Sequence, residues 1–464
     1  MKELICKKRL SNAERQNQSR VRSLFRQNLL RTGLFICIAA VIVTGMAWAQ
    51  AGQLDATFGT GGIFVTRDTQ SFDAAADAVV LQPDGKIVVA GEIGSSAGVL
   101  RLNTNGTLDS SFGTGGIVRI NVPGGLGGGV QVVGVAIQTD GKIVAGISTV
   151  NSSGPHSFLL ARLETSGALD PSFGSSGLVT TFPFGRALSP TVLALQPDGK
   201  ILLAGDGVAV RYETTGQLDG TFGAVGVAPI SLTSVTAIAL QSNGQILIAG
   251  GGPRRDSFPP APIFQTASIA GLVSRYNANG SLDTTFGTGG QAASVAAASA
   301  IVVQSTGKIV VAGSILAKLA APPVGSSAGF GLVRYNTNGS IDTTFGTRGV
   351  AITAFNGAPA TEPLALALQS NGDMIGAGVA GPVPSNAGSP ARSSFALARY
   401  LSTGQLDTTF GSGGRVTTAF GGNTASITAV AIQSDGNIVV VGNSDADVQG
   451  SFVNNIAVAR YLGQ

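Results

Sequence analysis

Cysteine is almost missing from this chain of 464 residues: there are two, Cys6 and Cys37, both near its start. Everything that follows them is therefore without a disulfide framework and without thiol chemistry. Histidine occurs once, as His156 in the stretch VNSSGPHSF (150–158). A single imidazole with no cysteine beside it does not complete the usual zinc sites. Charged residues make up 12% and aromatics 6%, where an ordinary globular chain is about 25% charged. Long helices are excluded by 67 glycines, since each costs roughly 1 kcal/mol relative to alanine inside a helix. What remains is 44% hydrophobic, in short Val/Ile/Leu/Ala runs separated by glycine turns, which is the pattern of an all-β protein. The mean hydropathy of +0.32 fits sheets covered on both faces.

The formal net charge of +4 belongs to one segment. Residues 1–32 carry nine Lys/Arg against Glu3 and Glu14, which leaves 20 basic and 23 acidic residues in the rest. The body is thus weakly acidic, with no basic stripe for nucleic acid. The basic stretch is followed by the apolar run GLFICIAAVIVTGMAW (33–48), and Ala47 and Ala49 bracket Trp48 in an A-x-A pattern. This is the form of a signal peptide, with cleavage expected after Ala49. The alternative is an uncleaved anchor, although the run is shorter than the roughly 20 residues of a spanning helix. The expected organisation is a leader over 1–49 and one domain over 50–464, exported to the periplasm, the cell surface or the medium. A membrane contact is expected only if the leader stays.

Three signals recur seven times each in the body. The first is L/I-D-x-S/T-F-G, at 54–59, 108–113, 169–174, 218–223, 282–287, 341–346 and 406–411. The second is an apolar run ending at Gln82, Gln138, Gln196, Gln241, Gln304, Gln369 or Gln433, then a Gly turn, then a second apolar run, as in AVVLQPDGKIVVAG. The third is an Arg followed by Leu or Tyr. A unit of about sixty residues repeated in this way cannot bury its apolar face alone and must stack on its neighbours. Each unit reads as four antiparallel strands, so seven units predict a seven-bladed β-propeller. The body begins with LDATFGTGGIFVT (54–66), the end of a unit, and finishes with AVARYLGQ (457–464), where that end belongs. A strand near Ile63–Thr66 is therefore expected to complete the last blade and close the ring, leaving no free sheet edge.

These residues resemble the delta-60 repeat family of bacterial β-propellers, whose hallmark is a Q-x-D-G-K-I-x-V-A-G segment, then A-R-Y, then L-D-x-T-F-G. The wider resemblance is to NHL-type propellers. The delta-60 resemblance covers about 54–464 and implies a fold without implying an activity. The turn departs from D-G-K in blades four (SNGQ, 242–245), five (STGK, 305–308) and six (SNGD, 370–373).

Arg and Asp stand eight residues apart in Arg101/Asp109, Arg162/Asp170, Arg211/Asp219, Arg275/Asp283, Arg334/Asp342 and Arg399/Asp407. That fixed spacing across a turn suits a charge-assisted hydrogen bond within the repeat, and Arg460 is expected to find Asp55 across the closure. A ring of seven ligand-binding Asp is the functional alternative. These pairs, with four turn Asp and four turn Lys, absorb 22 of the body's 43 charged residues. The other acids, among them Asp77, Glu92, Asp206, Asp373, Asp445 and Asp447, form no Glu/Asp pair in a shared motif of the glycosidase kind. No G-x-S-x-G turn accompanies His156, and Asp445-Ala-Asp447 lacks the glycine and terminal Glu of an EF-hand loop. The expectation is accordingly no catalytic residue, no metal and no cofactor, and a chain that is not an enzyme.

Function is expected in what differs between blades. The connection from strand two to strand three swells over 251–271, 314–330 and 379–395, and binding residues favour loops on a rigid scaffold. Arg254, Arg255, Phe258, Phe264, Lys318 and Arg392 are the candidate partner surface. The polar residue after A-G of strand two (Glu92, Asp206, Asn443) is a second candidate. The leading reading is a monomeric exported module that binds a glycan, a cell-wall fragment or a protein. A polysaccharide lyase or hydrolase working in the central channel and a structural spacer in a surface assembly are the alternatives.

Overall fold

The computed structural model describes residues 50–66, 74–122, 129–150, 157–232, 234–251, 271–294, 297–315, 329–355, 360–381, 393–420, 424–448 and 451–464. Within them the chain forms seven four-stranded antiparallel sheets, the seven-bladed propeller that the repeats predict. Blade one consists of Ala74–Leu81, Ile87–Ile93, Ser96–Leu102 and Ile117–Ile120, hydrogen-bonded in chain order. Blades two to six start with the strands Gly129–Ile137, Val192–Leu195, Ser234–Leu240, Ala297–Val303 and Ala360–Leu368. Blade seven takes Ala425–Ile432, Ile438–Val448 and Ser451–Tyr461, and its fourth strand is Ile63–Val65. Ile63 lies opposite Ala459 and Val65 opposite Ala457, so the ring closes as the phase of the repeats requires.

The first strands of successive blades touch one another all the way round, from blade one to blade seven and back. They surround the axis, and the fourth strands form the rim. The turns from strand one to two and from three to four share one end of the ring, the hairpin face. The connections from strand two to three and the blade crossings share the other, the loop face. Apolar side chains are sandwiched between blades: Val88, Ala90 and Val99 of blade one pack with Ile143, Ala145 and Leu159 of blade two. Strands two and three are covered on both sides, as in Ile201–Gly205 and Val208–Tyr212, where every residue is buried. That is why they read as unbroken apolar runs.

The hairpin face is where the blades are fastened together. Each repeat Arg donates from Nε to its Asp: Arg101 to Asp109 at 2.7 Å, Arg211 to Asp219 at 2.6 Å and Arg334 to Asp342 at 2.8 Å. Nη2 reaches the hydroxyl of D-x-S/T, as from Arg211 to Thr221 at 3.1 Å. Nη1 leaves the blade and donates to a backbone carbonyl in the strand-three turn of the next, Arg101 to Thr165 at 2.7 Å and Arg275 to Thr337 at 2.6 Å. The guanidinium lies over the Phe of S/T-F-G in all seven blades, 4.4–4.8 Å from the ring centre, a contact worth about 0.5–2 kcal/mol. The glycine after that Phe donates its N–H to the same neighbouring turn, Gly113 to Ser166 at 2.8 Å. The turn itself needs glycine: a Cβ on Gly106 (φ +82) would stand 2.9 Å from the Phe58 ring.

Arginine and aspartate are both buried here, an arrangement that holds only when every polar atom is satisfied. In blades one, two, three and five the turn Lys is a third partner, with Lys142 Nζ 2.8 Å from Asp170 and Lys308 Nζ 2.7 Å from Asp342. In blade four Gln245 takes this place and donates to Asp283 at 2.7 Å. Burial pushes the Asp170 carboxyl up, and the bonds from Lys142, Ser172 and Arg162 more than reverse it, holding it well below the usual carboxylate range.

At the closure the pieces come from opposite ends of the chain. Arg460 Nε lies 2.9 Å from Asp55 Oδ2, and its guanidinium stacks on Phe58 at 4.8 Å. The strand-three turn of blade seven is assembled from two segments, with Gly52 donating to Leu462 at 2.7 Å and Leu462 to Gln53 at 2.9 Å. Removing one partner of a buried ion pair costs about 3–5 kcal/mol. Arg460→Ala is therefore expected to lower unfolding stability by that amount in urea titration, with Arg460→Lys intermediate because it loses the fork. A variant within 1 kcal/mol of wild type, on the order of a surface pair, would show that the latch does not hold the ring. The lowered carboxyls also set a pH response: their contribution is present above the ordinary value of 3.8 and is lost as pH falls through the folded one.

Candidate functional site

The candidate partner surface Arg254, Arg255, Phe258, Phe264, Lys318 and Arg392 lies outside the described residues, as does His156. The second candidate set is placed, and it divides. Asn443 bridges blades seven and one, its Oδ1 accepting from the Ala76 amide at 2.8 Å. Asp206 sits in the turn between strands two and three of blade three and accepts from the Ser189 amide at 2.7 Å. Glu92 is the last residue but one of strand two of blade one, opposite Ala75, and its charge acts on Asp77.

Asp77 owes its position to a bulge. The first strand of each blade other than blade three slips by one residue, at Ala76/Ala78, Val132/Gly134, Val235/Ala237, Ala298/Ala300, Pro363/Ala365 and Ile427/Ala429. The A-G glycine of strand two packs against this bulge: a Cβ on Gly91 would stand 1.9 Å from the Ala75 carbonyl, and one on Gly442 2.0 Å from that of Ser426. A glycine inside a strand thus marks a close backbone approach. The bulge frees one side chain per blade to reach its neighbour. Thr428 donates to the Ala76 carbonyl at 2.7 Å, and Ser299 donates to that of Pro363 at 2.5 Å. Thr191, at the same place in blade three, donates to Val235 at 2.8 Å. In blade two the bulged residue is Val133 and in blade six Leu364.

Blade one alone places a charge there. Asp77 Oδ2 accepts from the Val132 amide of blade two at 3.2 Å. Burial pushes the Asp77 carboxyl up, the Val132 hydrogen bond works against that, and the Glu92 carboxylate pushes it up further, to about 7. The inner ring thus carries, at the seam of blades one and two, a carboxyl poised between its protonated and charged forms at neutral pH, beside a second acid. The sequence places Asp77 and Glu92 fifteen residues apart in no motif. The slipped register of strand one takes Asp77 out of the strand's alternation, and strand two of the same blade carries Glu92 opposite Ala75. Among the described residues no group of three His, Cys, Asp or Glu gathers as a metal site, and no helix is long and apolar enough to cross a membrane.

Five segments of the chain, 82–112, 138–173, 196–222, 268–286 and 304–345, match the DUF5122 β-propeller model, a domain of unknown function. Each ends on the Phe of the latch, from Phe112 to Phe345. Over these segments, about a third of the chain, it is similar to this β-propeller family. Blades six and seven, outside the matched segments, carry the same latch residues, Arg399 with Asp407 and Arg460 with Asp55. No curated protein matches the sequence. Among solved structures, a virginiamycin B lyase from Staphylococcus aureus with quinupristin is similar over 86% of this chain and 98% of its own, at 10% identity and a TM-score of 0.49. An ulvan lyase is similar over 85% and 94%, at 11% identity and a TM-score of 0.45. A gluconolactonase from Xanthomonas campestris is similar over 70% and 92%, at 11% identity and a TM-score of 0.34. At such identities the likeness is one of fold. It nevertheless corrects the expectation that the chain is not an enzyme, because the propellers it is similar to include lyases and a lactonase.

The Asp77 carboxyl gives a stability signature with a definite sign. Its folded value of about 7 lies above the ordinary 3.8, so its contribution is full below about 4 and is lost as pH rises through 7. Asp77→Asn keeps an acceptor for Val132 and removes the titration. The variant is expected to gain on wild type between pH 4 and 7 and to hold a constant advantage above, on the order of 2–4 kcal/mol. Melting temperatures measured from pH 4 to 9 check this. A difference that stays flat with pH would remove the buried carboxyl from the account.

Proposed function

We propose that this chain is an exported propeller that binds its ligand at the loop-face half of the inner ring, where blades seven, one and two meet. The observation that carries the reading is Asp77: a carboxyl at about 7 occupies a bulge position that other blades fill with Thr, Ser or an aliphatic residue. Glu92 and Asn443 stand at the same level of strand two in blades one and seven. Polar groups converging on a rigid, concave site favour a polar ligand, which fits a glycan, a cell-wall fragment or a peptide. Export rests on the leader over 1–49.

The same pair favours a second reading, acid–base chemistry on a polysaccharide. A carboxyl near neutrality is suited to give and take a proton, and an acid whose environment moves it to working pH is a recurrent mark of catalytic sites. Under this reading Asp77 is the acid or base, its value held up by burial with Glu92 adding to it.

A thermal-shift screen of the purified exported protein against neutral oligosaccharides, acidic oligosaccharides and cell-wall fragments tests both. A ligand at about 100 times its Kd stabilises the native state by roughly 2.7 kcal/mol. The shift is expected to disappear in Asp77→Asn combined with Glu92→Gln. A saturable ligand that shifts this variant as it shifts wild type would place the site elsewhere. Product formation that is lost in Asp77→Asn would select the second reading.

A further inference from the structure

The crossing from blade two to blade three departs from those that leave blades five and six. In blade five, strand four ends at Thr353 opposite Phe330, and two residues on Phe355 turns inward, its ring 4.9 Å from that of Phe330 at 62°. In blade six, Thr418 lies opposite Phe395 and Phe420 packs on it at 4.4 Å. Blade two has the same pair, Thr181 opposite Phe158, but the residue two positions on is Pro183, and it is buried. The aromatics flank it instead. Phe182 is 45% exposed and Phe184 54%.

The turn that presents them is held in a costly shape. Phe184 has φ 53 and ψ 25, the left-handed region that a bulky residue enters only under constraint. Gly185 donates to the Phe182 carbonyl at 2.9 Å and Arg186 to that of Pro183 at 3.0 Å, closing one tight turn. Further along, Asp206 takes the Ser189 amide and pins the crossing to blade three. The strand-two to strand-three connection beside it is the two-residue turn Asp206-Gly207, so the loop face is low here. Arg186 is exposed, and its guanidinium has no partner among the described residues.

We infer that Phe182, Phe184 and Arg186 form a binding platform for an acidic polysaccharide. The inference rests on the reading that the loop face takes the ligand. Exposed aromatic faces carry negative charge density and suit the C–H faces of sugar rings, while a guanidinium fork matches a carboxylate or sulfate. The patch is one turn wide. A stable protein partner needs about 1,200–2,000 Å² of interface, whereas a polysaccharide lies along such a strip. Strain at Phe184 serves no packing purpose, since Pro183 already fills the place of the inward ring.

The test is affinity electrophoresis of the exported protein in gels containing polygalacturonate, sulfated galactan or a neutral glucan. Wild type is expected to be retarded by at least one acidic polymer. Phe182→Ala with Phe184→Ala is expected to weaken that binding at least tenfold, and Phe184→Trp to retain it. Arg186→Gln is expected to lose the preference for acidic over neutral polymer. Melting temperature controls for folding, and Phe184→Gly, which relieves the left-handed strain, is expected to melt no lower than wild type while binding weakly. Wild type unretarded by both acidic polymers, or a double alanine variant retarded like wild type, overturns the inference. If the aromatic variants bind normally and Asp77→Asn does not, the platform fails and the inner-ring site stands. If Asp77→Asn binds normally and the aromatic variants do not, the inner-ring site fails.

Discussion

The propeller depends on one buried guanidinium per blade. The repeat Arg joins its own Asp and Ser or Thr to the Phe beneath it, and with its remaining nitrogen it grips the backbone of the next blade. Each blade is therefore fastened by charge-assisted bonds at the hairpin face and by apolar packing through its body. A charge in this place is stabilising because the guanidinium and the carboxylate are each held by several hydrogen bonds. That condition explains the constancy of the eight-residue spacing, the Ser or Thr two residues after Asp, and the glycine that lets the neighbouring turn approach.

The consequence is a division of labour between the two faces. The hairpin face repeats the same Arg, Asp and Phe contacts in every blade. The loop face is fixed only by the bulge belt of the inner strands and by the crossings, and there the blades differ. Asp77 replaces a hydroxyl at the bulge of blade one, and Pro183 replaces an inward Phe at the crossing of blade two. Both departures sit where the repeat needs nothing from them, which is where a repeat fold acquires function.

Much of the architecture was legible in the sequence because it is written seven times. The Arg–Asp spacing, the strand order and the joining of Ile63–Val65 to the last blade follow from the phase of the repeat. The Phe of S/T-F-G was legible as a motif, but its place under the guanidinium was not, since stacking on Arg leaves no trace in spacing. The bulge was signalled only by the glycine of A-G inside strand two. Without the bulge, Asp77 keeps the strand's alternation. Phe182 and Phe184 gave no signal, because their exposure follows from a proline filling a pocket that only the three-dimensional pairing of Thr181 with Phe158 defines. Departures from a repeat are read by comparing blades in space.

The latch makes seven blades one cooperative unit, the two-ended closure included. Native-state hydrogen exchange of the latch glycine amides, Gly59, Gly113, Gly174, Gly223, Gly287, Gly346 and Gly411, tests it most directly. Each donates to the turn of the following blade, from 2.7 Å at Gly59 to 3.4 Å at Gly174. All seven are expected to exchange only through global unfolding, with the same free energy and the same dependence on denaturant. Gly59 and Gly411, which flank the closure, exchanging through a separate low-energy opening while the other five stay protected would contradict it.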